Sequence, residues 1–91
     1  MRKRVISVSS QLGRVIAIMR DGKLRTLREI ERECWTRFGH ADTQAAISAR
    51  LRQVHKYGYI KNAHIERVSE KAVWWYYLTP MDSTKEQAAG A

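Results

Sequence analysis

The residues with the most recognisable chemistry lie in one stretch, DTQAAISARLRQVHKYGYI from Asp42 to Ile60. Gln44 carries an amide that both donates and accepts, the combination that pairs with an adenine edge. Ser48 can bond either class of base edge, Arg52 reaches guanine or a phosphate, and the methyls of Ala45 and Ala49 can meet a thymine methyl. Ala45 and Ala49 donate no hydrogen bonds, so direct readout by this set is modest and leans on duplex shape. A face of small and amide-bearing residues can approach another surface closely. The competing reading is a solvated helix face with no partner.

Other chemistry finds little support. His40, His55 and His64 stand far apart and fall on a turn, a helix flank and a strand, and with Cys34 they show no zinc-ligand spacing. Each reads as a solvated or hydrogen-bonded structural histidine. No Ser, Cys or carboxylate sits in a nucleophile motif, and no glycine-rich phosphate loop is present. The expectation is a chain that is not an enzyme, with no metal and no cofactor.

The charge balance names a class of partner. Lys and Arg number 17 against 9 Asp and Glu in 91 residues, a net charge of +8, so a polyanion is the first expectation. No apolar run approaches the ~18 residues of a membrane span, and the apolar part of MRKRVISVSS is too short for a signal peptide, which turns the reading from membrane to nucleic acid. A single domain of this size buries about two-thirds of its unfolded surface and has little room for a deep pocket. The lone Cys34 excludes an intramolecular disulfide and fits a reducing cytoplasm.

The elements that must position these residues follow from periodicity. Ile47, Leu51 and Val54 share one side of a helix from about Thr43 to Tyr57, while Ala45, Ser48, Ala49, Arg52 and Lys56 turn to the other. Asp42 or Thr43 caps its start and Gly58 supplies the left-handed residue at its end. Upstream, a helix beginning at Ser9 or Ser10 buries Leu12, Val15, Ile16 and Met19 and closes at Asp21-Gly22. Lys23-Leu24-Arg25 is short and extended. Thr26 and Glu29 form a capping box, so a second helix starts at Leu27, with Leu27, Ile30, Cys34 and Phe38 on its apolar stripe, Trp35 at the edge and Gly39 at its end. Cys34 on that stripe is a small core residue. Only Gly39-His40-Ala41 separates this helix from the next, a helix-turn-helix spacing. The N-terminus of the second helix, with Thr26 and Arg28, suits a backbone phosphate.

After Gly58 the period becomes two. Tyr59 to Val68 reads as one strand and Val73 to Thr79 as another, with Ser69-Glu70-Lys71-Ala72 as the turn and Pro80 as the stop. Trp74, Tyr76 and Leu78 share the face assigned to the core, which leaves Trp75 and Tyr77 on the other. Residues 1–9 form a basic arm in which Val5 to Val8 is a brief edge strand or an ordered lead-in; Arg2, Lys3 and Arg4 reach phosphate or the minor groove, or simply solubilise the terminus. Residues 81–91, beyond Pro80, read as a loose tail, with a short helix from Ser83 to Ala89 as a weaker alternative.

The order of helix, extended piece, helix, tight turn, helix and hairpin over residues 10–80 resembles the winged helix-turn-helix DNA-binding domains of bacterial and phage regulators. The likeness is carried by Ile47, Leu51 and Val54, by Gly58-Tyr59-Ile60, and by Tyr77-Leu78-Thr79-Pro80, which is similar to the "LTP" that commonly ends the wing. The resemblance implies an α+β winged-helix fold and a transcriptional or phage-development regulator that binds double-stranded DNA. It implies that the helix beginning at Thr43 turns Gln44, Ala45, Ser48, Ala49 and Arg52 to the major groove, with Arg50 and Lys56 flanking near phosphates. Lys71, and Arg67 lower on the strand, would set the wing against the duplex. The expected wing is short and carries Glu70, a repulsive charge beside phosphate. A homodimer or cooperative binding would supply tight site selection. The alternative is a protein-interaction module working through Trp35, Trp75 and Tyr77.

Overall fold

The computed structural model describes residues 6–81; the contacts expected of Arg2, Lys3 and Arg4 and the tail expected from residue 82 lie outside them. Among the described residues the chain runs α1 (Gln11–Met19), α2 (Leu27–Phe38), α3 (Gln44–Leu51), a 3-10 turn (Val54–Tyr57), β1 (Tyr59–Val68) and β2 (Lys71–Pro80). This is an α+β fold of three helices followed by an antiparallel hairpin, a layout compatible with a winged helix.

Each helix start is built by a side chain. Ser10 Oγ accepts the Gly13 N–H at 3.0 Å, fixing the choice between Ser9 and Ser10. Thr26 and Glu29 form the expected capping box, with Glu29 N–H to Thr26 Oγ1 at 3.2 Å and Thr26 N–H to Glu29 Oε1 at 2.9 Å. Thr43, rather than Asp42, caps α3, its Oγ1 accepting the Ala46 N–H at 3.2 Å. Ile6 and Ser7 form no strand; Ile6 packs against the core as an ordered lead-in.

Val15, Ile16, Ile18 and Met19 of α1 meet Ile30 and Cys34 of α2, Ile47 and Leu51 of α3, Val54 and Leu78 in one buried cluster. Ile18 joins the expected stripe because α1 is covered on more than one side, whereas Leu12, Leu27 and Phe38 are only half-buried. Arg14 and Asp42 penetrate this cluster. Arg14 Nε and Nη2 donate to the two Asp42 oxygens at 2.9 Å each, and Gln11 Nε2 donates to Oδ1 at 3.0 Å. Arg14 Nη1 also donates to the carbonyls of Val8 and Ser9 at 3.0 and 3.2 Å.

The third helix is shorter than its apolar pattern implies. It ends at Leu51, and the next turn tightens, with Gln53 N–H to Arg50 O at 2.8 Å and Lys56 N–H to Gln53 O at 3.0 Å. In a turn of three residues Leu51 and Val54 eclipse, so Val54 stays in the core although the α-helix has stopped. Gly58, at φ 84°, then turns the chain into β1.

The hairpin is longer than expected. Both strands have ten residues, from Tyr59↔Pro80 to Val68↔Lys71, so the loop is only Ser69-Glu70. Ser69 has φ 59° and Glu70 does not share a positive φ, the pattern of a type II′ turn whose twist suits a hairpin. Arg25 joins the other edge of β2 through an isolated bridge, its N–H to Tyr76 O at 2.9 Å and Tyr76 N–H to its O at 2.8 Å. Its guanidinium is held by Asp21 at 2.8 and 2.9 Å and by Glu33.

Two predictions follow from this packing. Gly13 is buried in α1, and a Cβ there would stand 1.7 Å from the Ser7 carbonyl oxygen, so Gly13→Ala destabilises by about 1–3 kcal/mol through forced backbone movement; thermal unfolding measures it. Asp42→Asn leaves Arg14 without its charge partner in the interior and costs about 3–5 kcal/mol, read by urea unfolding at pH 7. The Arg14 hydrogen bonds hold the Asp42 carboxyl below the ordinary carboxylate range. A depressed carboxyl stabilises the fold above its unfolded pKa of about 4 and loses that contribution as pH falls further, so wild-type stability drops below about pH 4 with a slope that Asp42→Asn reduces.

Candidate nucleic-acid interface

The residues expected to meet a duplex separate into three places. Thr43, Gln44, Ala45, Ser48, Ala49 and Arg50 lie along the start and length of α3; Thr26 and Arg28 lie at the start of α2; Arg67 and Lys71 lie at the hairpin tip. Gln44 and Ala45 are exposed, while Ser48 and Ala49 are half-buried, so the open part of α3 is its first turn. Ile47 and Leu51 root this helix in the core, which leaves Gln44 and Ala45 at its start exposed.

The shortened helix moves its basic residues. Arg52 is the C-cap of α3 and Lys56 lies in the 3-10 turn, so both are exposed cations beyond the helix rather than continuations of its outward face. Arg50 is half-buried, with Nη1 donating to Gln53 Oε1 at 3.1 Å and Nε buried without a hydrogen-bond partner. It braces the end of α3 as much as it faces outward.

At α2 the capping box already occupies the helix start. The Thr26 N–H is bonded to the Glu29 carboxylate, and that negative charge stands where a phosphate would. Arg28, one residue into the helix, is exposed and more open to an anion than the capped helix start. At the hairpin tip Arg67 pairs with Ala72 and Lys71 with Val68, so the two cations project from opposite faces. Glu66 and Glu70 are exposed beside them.

One partner of this surface has no signal in the sequence. Gln44 Nε2 donates to Glu31 Oε1 of α2 at 3.0 Å, a contact thirteen residues apart that only the fold of the α2–α3 turn creates. Glu31 also lines a shallow groove of about 280 Å³ with Arg28, Arg32, Trp35 and Ala41.

The aromatic residues are distributed otherwise than expected. Trp35 is 62% exposed, and on the hairpin Trp74 at 48% is more open than the half-buried Trp75 and Tyr77. Trp74 shares the Leu78 face, but ten-residue strands carry that face past the helical body, where none of the described residues buries it. Ile65, its cross-strand neighbour, is exposed for the same reason. Lys61 Nζ lies 5.8 Å from the centre of the Tyr76 ring nearer the root.

The three histidines stay apart. His40 follows the end of α2, His55 Nδ1 donates to the Arg52 carbonyl at 3.2 Å, and His64 is exposed on β1. Among the described residues no three His, Cys, Asp or Glu side chains gather to hold a metal ion, and no helix is long and apolar enough to cross a membrane. Cys34 is buried and free, and burial, followed by the neighbouring Asp42, pushes its thiol up to about 12. Comparison with protein-family models, with curated proteins and with solved structures gives no significant match.

Because only the thiolate attacks, Cys34 is expected to be inert at neutral pH. Incubation of the folded protein with an aromatic disulfide reagent should release less than a tenth of an equivalent of thiolate over minutes, and a full equivalent in denaturant. Rapid labelling of the native protein would place Cys34 outside the core.

Proposed function

We propose that this chain is a DNA-binding protein, a transcriptional or phage-development regulator acting in a reducing cytoplasm, that places the first turn of α3 in the major groove. The observation that carries the reading is the pairing of the exposed Gln44 and Ala45 at the start of α3 with exposed cations on α2, after α3 and on the hairpin. Arg28 and Arg32 stand on α2, Arg52 and Lys56 after α3, and Arg67 and Lys71 on the hairpin. Affinity comes from these cations displacing counterions on phosphates, and sequence preference comes from Gln44 and Ser48.

The half-burial of Ser48 and Ala49 narrows direct readout to few base pairs. A module of this kind covers on the order of 600–1,000 Å² of its own surface, so two copies on adjacent half-sites provide the selectivity one copy lacks. The positive-φ turn at Ser69 holds Lys71 at the start of β2, where it can reach a phosphate on the flank of the site.

A second reading is favoured by one observation. Trp35 is 62% exposed beside the groove on α2, a geometry suited to an acidic protein partner bearing an apolar side chain. The experiment that separates the two is selection from random duplex DNA at two salt concentrations, followed by titration of variants. Gln44→Ala with Arg52→Ala should lower affinity for the selected site by tenfold or more and flatten its base preference, since each good base pair contact discriminates by about 1–3 kcal/mol. Lys71→Ala should weaken all duplexes alike and reduce the salt slope by about one. Retention of full preference by the double variant, with loss of all binding in Trp35→Ala, would rule out α3 as the reading helix.

A further inference from the structure

We infer that Glu31 fixes the orientation of the Gln44 amide, making the first position of α3 a reader that favours adenine over guanine. The inference rests on the proposed role of α3 as the base-contacting helix. Gln44 is the first residue of α3 and is exposed, behind a cap in which Thr43 holds the Ala46 N–H. Its Nε2 donates to Glu31 Oε1 at 3.0 Å. Glu31 is half-buried on α2, which restricts where its carboxylate can stand.

A carboxylate has no proton to give, so only the nitrogen end of an amide can face it. The two orientations of a glutamine amide are otherwise nearly equivalent in shape. The Glu31 bond selects one of them: Nε2 lies on the α2 side, and what remains for a ligand is Oε1 together with the second N–H. That acceptor beside a donor matches the major-groove edge of adenine, whose N6 amino group donates to Oε1 and whose N7 accepts from Nε2. Guanine offers O6 and N7, two acceptors, and its O6 would meet Oε1 lone pair to lone pair. A glutamine free to turn over can give O6 one bond by pointing its NH2 there and swinging Oε1 clear of N7, the other acceptor. A glutamine held by Glu31 cannot.

Placing a carboxylate close to a polyanion weakens binding to every duplex alike. Affinity alone therefore cannot report this role, and the readout is the ratio of affinities for two sites that differ at one base. Glu31 acts as a positioning residue and does not itself touch the base.

The test begins with the motif enriched by the wild-type protein and the motif position at which Gln44→Ala becomes indifferent. Duplexes carrying adenine, guanine or 7-deazaadenine there are titrated with wild type, Glu31→Ala, Glu31→Gln and Gln44→Ala. Wild type should prefer adenine over guanine by roughly tenfold, the size of one good bidentate contact, and 7-deazaadenine, which lacks N7, should forfeit most of that preference. In both Glu31 variants the adenine-to-guanine ratio should fall toward one, because neither a methyl nor a second amide dictates which end of Gln44 faces it. Their affinity for unrelated duplex should hold or rise, and their unfolding midpoints should match wild type.

An unchanged ratio in Glu31→Ala beside a collapsed ratio in Gln44→Ala would overturn the role of Glu31 and leave α3 as the reading helix. If Gln44→Ala alters no position of the motif, the first residue of α3 reads no base, and the inference and the site assignment fall together. A wild-type protein that enriches no motif would overturn the inference along with site-specific recognition.

Discussion

The ion pair between Arg14 and Asp42 decides where the third helix begins. Asp42 immediately precedes the Thr43 cap, so the point at which α3 starts is tied by two hydrogen bonds of 2.9 Å to the middle of α1. The same guanidinium holds the Val8 and Ser9 carbonyls, and Gln11 adds a third contact to Asp42. The lead-in to α1, α1 itself and the start of α3, 28 residues further along, thus meet at one planar group. An apolar pair of similar volume would stabilise the interior as well or better, because desolvating two charges offsets most of their attraction. What the apolar pair lacks is direction: a fork of donors on a carboxylate tolerates little sliding.

Internal use of acids also shapes the outer field. Asp21 and Glu33 hold Arg25, Glu33 also takes Arg37 at 2.6 Å, Asp42 holds Arg14, Glu29 closes the α2 cap and Glu31 bonds Gln44. Each of these carboxylates bonds a group of the protein itself, Asp21 and Glu29 while still exposed, whereas Arg28, Arg32, Arg52 and Lys56 are exposed cations. The net charge of +8 is therefore displayed outward more strongly than an even mixture of signs would be. Arg25 adds a mechanical role, since its backbone bridge to Tyr76 and its ion pairs join the root of the hairpin to the start of α2.

Much of this architecture is legible in the residues. The Thr26–Glu29 box, the glycine ends at Gly39 and Gly58, the burial of Ile47, Leu51 and Val54, and the presence of two strands after Gly58 all come from local chemistry that the chain carries with it. The end of α3 is not legible, because Val54 faces the core in a 3.6-residue and in a three-residue turn alike. The length of the hairpin is hidden for a related reason. Ser69-Glu70-Lys71-Ala72 looks like a four-residue turn, and only the left-handed conformation of Ser69 shortens it to two. The partners of Arg14 and Gln44 lie 28 and 13 residues away, and no periodicity reports a pairing between side chains on different elements. For the interface, residue type indicated which side chains can bond a base, and the fold showed which of them stand in the open.

The long hairpin has a consequence for how the protein breathes. From Ala63 to Val68 every residue of β1 is exposed, and among the described residues its outer edge pairs with no other strand. Backbone hydrogen bonds there have water on both faces and little apolar burial behind them, the circumstances in which local opening costs least. The far half of the hairpin is thus the first part to exchange its amides, while α1 exchanges with the body as a whole. An open edge of this kind also invites pairing with other chains. Lys61, Glu66 and Arg67 place charge at both ends of this edge, which disfavours the docking of an incoming strand.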